Sequence, residues 1–141
     1  LKLARDKGFR TAINCTLFNN ADPERTARFF DDVTAMGVDN IMLSPGYAYE
    51  RAPDQKHFLN RQATKTLFRD LFRRNTAKTK WRMGNSPLFL DFLAGNQSYA
   101  CTPWGNPTRN IFGWQRPCYL LGEGYAASFK ELMETTDWDK Y

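Results

Sequence analysis

Small polar residues follow two apolar segments of this 141-residue chain, at places where strands are expected to end. Asn14 and Thr16 lie within the first segment, and Ser44, Pro45 and Gly46 follow the second. Hydroxyl and amide groups bind amino-acid and ribose atoms well, and glycine lets a ligand approach the backbone closely. Ordinary strand-end capping and turn chemistry explain the same residues equally well, so the pattern alone leaves both interpretations open.

Cys101 and Cys118 flank a segment rich in aromatic residues, glycine and proline. Two thiolates are too few for a zinc or iron–sulfur site, so such a site needs ligands from elsewhere. Two free, buried cysteines are the alternative, and these residues alone favour it. The third cysteine, Cys15, falls in a predicted strand, where it faces the core or lines a pocket. Three cysteines without a CxxC pair disfavour a disulfide scaffold and favour a reducing cytoplasm.

The common catalytic patterns are missing from the sequence. It holds no paired carboxylates, no Ser/His/Asp set, no phosphate-binding glycine loop and no HExxH helix. His57 is the only histidine, and its place in a polar loop predicts a surface residue rather than a general base. These residues therefore give little support to a hydrolase or another acid–base enzyme.

Aromatic residues are concentrated between residues 99 and 125, with Trp104 and Trp114 the largest. Aromatic side chains at this density bury much apolar area per residue. In the default interpretation, these residues form the core of a small subdomain. In the alternative interpretation, they line a pocket for a bulky apolar ligand.

The first elements that must position these residues are predicted to be a strand, a helix and a second strand. Thr11–Phe18 is a predicted buried strand, Asp22 and Pro23 start a helix that Gly37 ends, and Val38–Leu43 is a second strand. This order is one parallel βαβ unit, which predicts an α/β fold. Two parallel strands cannot cover their own faces and edges, so we expect further strands upstream.

The rest of the chain predicts helices and a turn-rich region. A helix is expected around residues 64–75, a short strand at 81–84, and a second helix after Pro87. Turns and short antiparallel strands are expected from Gln97 onward, because proline and glycine recur there. Ser128 and Glu131 form a predicted capping box for a last helix. The apolar face of the helix after Pro87 is expected to hold Leu88, Phe89, Phe92 and Leu93.

The net charge of +5 arises largely from one stretch. The solvated face of an amphipathic helix explains it best, because Leu67, Phe68, Leu71 and Phe72 form an apolar stripe there. A nucleic-acid or anionic-lipid surface is the alternative, but no nucleic-acid-binding signature accompanies the charge. The basic residues of the stretch are Arg61, Lys65, Arg69, Arg73, Arg74, Lys78, Lys80 and Arg82.

Three long strings carry a specific resemblance. They are LSPGYAYERAPDQ (43–55), SPLFLDFLAGNQ (86–97) and CTPWGNPTRNIFGWQRPCYLLGEGY (101–125). The chain resembles the C-terminal half of the hopanoid-biosynthesis radical S-adenosylmethionine (SAM) proteins, the adenosylhopene transferases. The resemblance implies the C-terminal part of a partial radical-SAM (β/α)6 barrel plus a small extension that contains aromatic residues and cysteines. Residues 1–60 would be the last two β/α units, and residues 61–141 the extension.

The resemblance also implies an activity. In such enzymes a [4Fe-4S] cluster cleaves SAM, and the 5′-deoxyadenosyl radical adds to hopene to give adenosylhopane. An electron donor such as ferredoxin or flavodoxin supplies the electron. A cytoplasmic location follows, with peripheral contact at the inner membrane surface where the hopene substrate resides. Nucleic acid is not an expected partner.

The implied roles fall on particular residues. SAM would lie near Asn14, Thr16, Ser44, Pro45 and Gly46, and the substrate near Tyr47, Tyr49, Trp104 and Trp114. Cys101 and Cys118 are candidates for an auxiliary metal site. The sequence has no CxxxCxxC cluster loop, so this chain alone is expected to bind no such cluster and to be inactive. A radical-SAM relative with another substrate, and a basic module that binds nucleic acid or an anionic surface, are the alternatives.

Overall fold

The computed structural model describes residues 1–75, 80–102 and 105–141, which form a mixed α/β structure of two compact units. The first unit comprises Leu1–Tyr47 and Lys56–Ser98, and the second comprises Ala48–Gln55 and Tyr99–Tyr141. Within these residues the strands form one two-stranded sheet and one three-stranded sheet, not a closed barrel.

A parallel pair of strands organises the first unit. After a short helix, α1 (Lys2–Asp6), β1 (Ala12–Leu17) lies beside β2 (Asn40–Pro45), and helix α2 (Pro23–Ala35) connects the two strands. The register places Ala12 opposite Asn40 and Leu17 opposite Pro45. The predicted βαβ unit is therefore present.

Helix α2 begins where the sequence predicts. The Asp22 side chain accepts a hydrogen bond of 2.9 Å from the Arg25 N–H, and this bond lowers the pKa of the Asp22 carboxyl. Pro23 takes the first helical position, where no N–H is needed. Ala27, Phe30 and Val33 recur at helical spacing and are buried against the sheet. This apolar face fixes α2 on one side of the strands.

Strand β2 lies two residues further along the chain than predicted. The sequence predicts that this strand ends at Leu43, but the pairing with β1 continues through Ser44 and Pro45. The N–H of Gly46 donates to the Leu17 carbonyl at 2.7 Å, so the ladder passes beyond the proline. Proline is tolerated at this strand end because its missing N–H is on the side away from β1.

The second edge of β2 is covered by residues 82–85. The predicted short strand at 81–84 is present as one parallel bridge between Ile41 and Met83. The Ile41 N–H donates to the Arg82 carbonyl at 2.7 Å. One step further, the Asn85 amide accepts from the Leu43 N–H at 2.7 Å and donates to the Leu43 carbonyl at 3.1 Å. The Asn85 side chain therefore makes the two hydrogen bonds that the backbone of a neighbouring strand would make.

Helix α3 (Arg61–Arg73) begins three residues earlier than predicted and ends two residues earlier. The Asn60 side chain caps its first turn by accepting from the Ala63 N–H at 2.8 Å. The predicted apolar stripe is confirmed, since Leu67, Phe68 and Leu71 are buried and Phe72 packs against them. The largest fully buried side chains of the first unit are Phe30, Phe68, Ile41, Leu43, Leu71, Leu93 and Val38.

Helix α4 (Pro87–Leu93) packs by a different face from the one predicted. Leu93 is fully buried, but Leu88 is 62% exposed. Leu90 joins Phe89 and Phe92 against the core in place of Leu88. The prediction was wrong for Leu88, because four consecutive apolar positions in a short helix do not specify which of them faces the neighbouring elements.

Two arginines of α3 hold the C-terminal end of α4. Arg61 Nη2 donates to the Phe92 carbonyl at 2.5 Å, and the Arg61 guanidinium lies 3.7 Å from the centre of the Phe92 ring. Arg69 Nε donates to the Ala94 carbonyl at 3.1 Å. These carbonyls lie at the C-terminal end of the helix, where positive charge is stabilising. Part of the basic stretch is therefore used in packing, while Lys78 lies outside the described residues.

The second unit is a small antiparallel sheet with a helix. Strands β3 (Arg109–Asn110), β4 (Gly113–Gln115) and β5 (Tyr125–Ala126) are followed by helix α5 (Phe129–Thr135) and a 3₁₀ turn at Trp138–Lys140. This is the predicted turn-rich arrangement.

The predicted cap of helix α5 is present in a modified form. Ser128 Oγ accepts from the Glu131 N–H at 3.1 Å. The Glu131 carboxylate accepts from the Ala127 N–H at 2.9 Å and from Arg116 at 3.0 Å. In a standard capping box this carboxylate would accept from the N–H of the capping residue itself. The arrangement therefore joins the start of α5 to Arg116, which follows β4.

The division into units does not follow the 60/61 boundary. Helices α3 and α4 contribute to the core of the first unit, and residues 48–55 belong to the second. The boundary at 60/61 separates the implied barrel from the implied extension, and it stays a prediction. Among the described residues, no helix has both the length and the hydrophobicity that crossing a bilayer requires.

We expect Asn85→Ala to lower the free energy of unfolding by about 1–3 kcal/mol, because two partly buried backbone groups of Leu43 lose their partner. Urea unfolding followed by circular dichroism measures the loss. Asn96→Ala is the matched control, since Asn96 is exposed and its side chain donates to the exposed Asp91 carboxylate. Equal stability of the two variants would contradict the role assigned to Asn85.

Candidate functional site

The two faces of the β1–β2 sheet differ in what covers them. Ile13, Cys15 and Leu17 of β1 point toward the helices and pack with the core. Ala12, Asn14 and Thr16 alternate with them and are exposed. Because neighbouring side chains on a strand point to opposite faces, the exposed residues share the face that the helices leave open.

The same alternation holds for β2. Ile41 and Leu43 are fully buried. Met42 is exposed and Ser44 is half-buried on the opposite face. The open face therefore combines residues from the ends of both strands.

The structure brings three predicted SAM-contacting residues together. Thr16 lies directly opposite Ser44, and Asn14 lies opposite Met42 in the parallel register. Neighbouring strands are about 4.8 Å apart, so these side chains are adjacent on one face. Two hydroxyls, one amide and the Met42 thioether thus form a continuous surface. Met42 was not predicted, although the alternation of β2 could have placed it there.

Gly46 allows close packing of a side chain, whereas the sequence suggested that it leaves room for a ligand. Pro45 and Gly46 are buried. A Cβ atom at Gly46 would come within 2.5 Å of Phe18 Cδ1. The Phe18 ring therefore occupies the space that the missing side chain leaves, and it connects the end of β1 with the end of β2.

Tyr47 follows directly at the end of β2 and is half-buried. Burial raises the pKa of its hydroxyl, and the neighbouring Arg61 charge opposes this effect. The hydroxyl lies near Thr64 and Arg61 at the start of α3. It therefore stays protonated across the physiological range and acts there as a neutral polar group.

Two of the other predicted substrate residues, Tyr49 and Trp114, fall in the second unit. The Trp114 ring packs against Phe129, with 5.2 Å between ring centres. Tyr49 lines a cavity that Trp114 does not line. Trp104 lies outside the described residues. One substrate pocket that contains Tyr47, Tyr49, Trp104 and Trp114 therefore stays a prediction.

The three cysteines are free thiols. Cys101 is exposed and Cys118 is half-buried. Within residues 1–75, 80–102 and 105–141, no three or more His, Cys, Asp or Glu side chains are grouped as metal ligands would be. The auxiliary metal site at Cys101 and Cys118 stays a prediction. Cys15 packs against the core and lines a cleft beside α2, and burial raises the pKa of its thiol.

The open face of the sheet carries neutral hydrogen-bonding side chains. Asn14, Thr16 and Ser44 carry no side-chain charge at neutral pH, so they offer hydrogen bonds to hydroxyl, amine or carboxylate groups. SAM presents such groups on its ribose and its amino-acid part, and the donor set fits it. Proton transfer by these three side chains is not supported by their chemistry.

Comparison with known families adds one finding. Residues 41–141 match a family described as Domain of unknown function (DUF3463), and this match covers more than half of the chain. The chain belongs to the DUF3463 family. DUF3463 is often a C-terminal part of radical SAM proteins. No curated protein and no solved structure matches the chain.

The DUF3463 match begins inside β2 and continues to the last residue. It includes Ser44, Pro45, Gly46 and Tyr47 at the end of β2, together with all of the second unit. Strand β1 lies before the match. The family domain therefore contributes one of the two strands that form the open face.

We expect Gly46→Ala to lower the free energy of unfolding by about 1–3 kcal/mol, because the new methyl group overlaps the Phe18 ring. The double variant Phe18→Ala/Gly46→Ala removes that overlap. Its unfolding free energy should therefore match that of Phe18→Ala alone, which a double-mutant cycle measures by urea unfolding. Strictly additive losses would show that Gly46 is required for another reason.

Proposed function

We propose that this chain is the C-terminal part of a radical SAM enzyme that adds a 5′-deoxyadenosyl radical to hopene and forms adenosylhopane. The observation that carries the SAM part of this proposal is the adjacency of Asn14, Thr16 and Ser44 on the open face of a parallel sheet. Active sites of parallel α/β barrels lie at the carboxyl ends of the strands.

Membership in the DUF3463 family supports the reaction class. DUF3463 is often a C-terminal part of radical SAM proteins, but it does not specify a substrate. The choice of hopene rests on the resemblance of residues 43–55, 86–97 and 101–125 to the hopanoid-biosynthesis proteins. Strings of this length and unusual composition are more specific than a short motif.

The free edge of β1 supports a larger sheet. Among the described residues β1 pairs only with β2. Backbone groups alternate in direction along a parallel strand, so those of Ala12, Asn14 and Thr16 point away from β2. An unpaired edge of this kind accepts a further strand. In the proposed barrel that strand would precede β1.

The iron–sulfur cluster would depend on residues outside this sequence. The chain has three cysteines, and their spacing is not CxxxCxxC. When bound, the cluster and SAM supply the radical chemistry, and the protein supplies binding, orientation and exclusion of water. The residues of this chain would take part in those three tasks.

Each group on the open face has a proposed task. Thr16 and Ser44 would bind ribose or amino-acid hydroxyl, amine or carboxylate groups of SAM, and Asn14 would fix their orientation through its amide. Met42 would provide an apolar contact beside them. Pro45 pairs with Leu17, and Gly46 lets the end of β2 approach the Phe18 ring, so both would maintain the positions of the polar groups.

The substrate would contact aromatic side chains of the second unit. Trp114, Tyr49 and Trp104 are the candidates, because flat apolar rings suit a polycyclic hydrocarbon. An electron donor such as ferredoxin or flavodoxin, and peripheral contact with the inner membrane from the cytoplasmic side, complete the proposal. A radical-SAM relative with another substrate would share the SAM-binding face, so analysis of the product distinguishes the two.

A nucleic-acid-binding module is disfavoured by the packing of α3. Arg61 and Arg69 donate to carbonyls at the end of α4, so this part of the basic stretch has a structural task. Phosphate contacts require lysine and arginine side chains that are free to reach the backbone of a nucleic acid.

We expect Asn14→Ala and Thr16→Val to weaken SAM binding roughly 2- to 10-fold each, because one hydrogen bond to the ligand is lost. The protein is expressed anaerobically from its complete reading frame. The release of 5′-deoxyadenosine is measured by chromatography at increasing SAM concentrations, and its concentration dependence gives the apparent SAM affinity. Thr66→Val is the matched control, because Thr66 is exposed on α3. Wild-type SAM affinity in both test variants would contradict the proposed binding face.

The aromatic contribution to the substrate site has its own test. We expect Trp114→Ala to reduce adenosylhopane formation at least tenfold while 5′-deoxyadenosine release continues, because the substrate would lose an apolar contact. Mass spectrometry measures the ratio of adenosylhopane to 5′-deoxyadenosine. Phe129→Ala is the control for lost packing, since Phe129 contacts the Trp114 ring. Unchanged adenosylhopane formation in Trp114→Ala would exclude a substrate role for this residue.

A further inference from the structure

The second unit contains a cavity of about 150 Å³ that the proposed function leaves unexplained. Its walls come from two separate parts of the sequence, residues 49–51 and residues 115–125. Pockets for drug-sized ligands usually measure about 300–1,000 Å³, so this cavity suits a smaller molecule. Hopene, a hydrocarbon of thirty carbons, is too large for it.

Arg51 lines the cavity and gives it a positive charge. Its Nη1 donates to the Tyr125 hydroxyl at 3.3 Å, and its Nη2 donates to the Gly122 carbonyl at 3.2 Å. The guanidinium carbon lies 5.7 Å from the centre of the Tyr125 ring. Both acceptors are neutral, so they fix the direction of the guanidinium without compensating its charge. The remaining N–H groups are available to an anionic oxygen.

The carboxylate of the preceding residue, Glu50, bonds to a backbone N–H. Glu50 Oε2 accepts a hydrogen bond from the Gly122 N–H. Among the described residues Arg51 makes no ion pair, whereas Arg116 pairs with Glu131 in the same unit. The Arg51 side chain is therefore oriented, partly exposed and without a carboxylate partner.

Gly122 makes this arrangement of charges sterically feasible. A Cβ atom at this position would lie 2.9 Å from Glu50 Oε2 and 3.0 Å from Arg51 Nε. Any larger residue would displace one of the two side chains. The close approach of the loop to Arg51 thus depends on a residue without a side chain.

Tyrosine rings provide the apolar part of the wall. Tyr49, Tyr119 and Tyr125 line the cavity together with Leu120 and Leu121. Flat aromatic surfaces bind flat apolar groups. A guanidinium beside such walls selects a ligand that joins an anionic group to a small ring.

We propose that the cavity between residues 49–51 and 115–125 binds a small anionic ligand, a carboxylate or phosphate carried on an aromatic ring. The anionic oxygen contacts the Arg51 guanidinium, and the ring lies among the tyrosines. This site lies within the second unit and shares Tyr49 with the proposed substrate surface. The anionic ligand's binding does not depend on SAM.

The test is titration of this 16.4 kDa chain, labelled with ¹⁵N, with four probes. Benzoate and phenyl phosphate carry both features, inorganic phosphate lacks the ring, and benzyl alcohol lacks the charge. We expect benzoate and phenyl phosphate to shift the amide resonances of Gly122 and Gly124. The other two probes should bind at least tenfold more weakly. Stronger benzoate than phenyl phosphate binding would assign the site to carboxylates, and the reverse order to phosphates.

Variants test the part played by Arg51. Arg51→Gln should weaken benzoate binding at least tenfold, and Arg51→Lys should recover part of the loss because it keeps the charge. Arg109→Gln is the matched control, because Arg109 is exposed in β3 and does not line the cavity. Benzyl alcohol binding as tightly as benzoate, or Arg51→Gln and Arg51→Lys both binding benzoate like the wild type, would overturn the proposal. Absence of any shift with benzoate and phenyl phosphate would overturn it as well.

Discussion

The parallel pairing of β1 with β2 is the constraint on which the first unit depends. Helices α2, α3 and α4 bury one face of this pair, so Ile13, Leu17, Ile41 and Leu43 become core residues. Strand alternation then places Asn14, Thr16 and Ser44 on the face without helices. The polar surface is thus a consequence of the packing of the apolar residues, since a one-residue change of register would reverse both faces.

Local signals in the sequence predicted the elements that make local contacts. Asp22 with Pro23 fixed the start of α2, and the Ser128–Glu131 pair marked the start of α5. These signals work because a cap and its helix are close in sequence. Local signals predict the wrong end for β2, because Ser44 and Pro45 form a turn signal that the pairing with Leu17 overrides. They also misassign Leu88, whose environment depends on tertiary packing.

The contacts that matter most for the candidate sites join distant parts of the chain. Asn85 completes the edge of β2 from 42 residues away, and Arg51 meets Tyr125 across 74 residues. No local sequence pattern predicts either of these two contacts. The adjacency of Thr16 and Ser44 could be predicted, because parallel strands of one βαβ unit align their carboxyl ends. The tyrosine-lined cavity could not, although two glycines in the Leu121–Tyr125 segment marked a close approach of the backbone.

We propose that this DUF3463 chain forms the end of a radical-SAM barrel whose polar sheet face would bind SAM. The most direct measurement is the sequence of the coding DNA upstream of Leu1. The account predicts an in-frame strand followed by a CxxxCxxC loop, with further βα units between that loop and β1. A reading frame that lacks such a loop upstream would contradict the account, and the polar face would then need a different ligand.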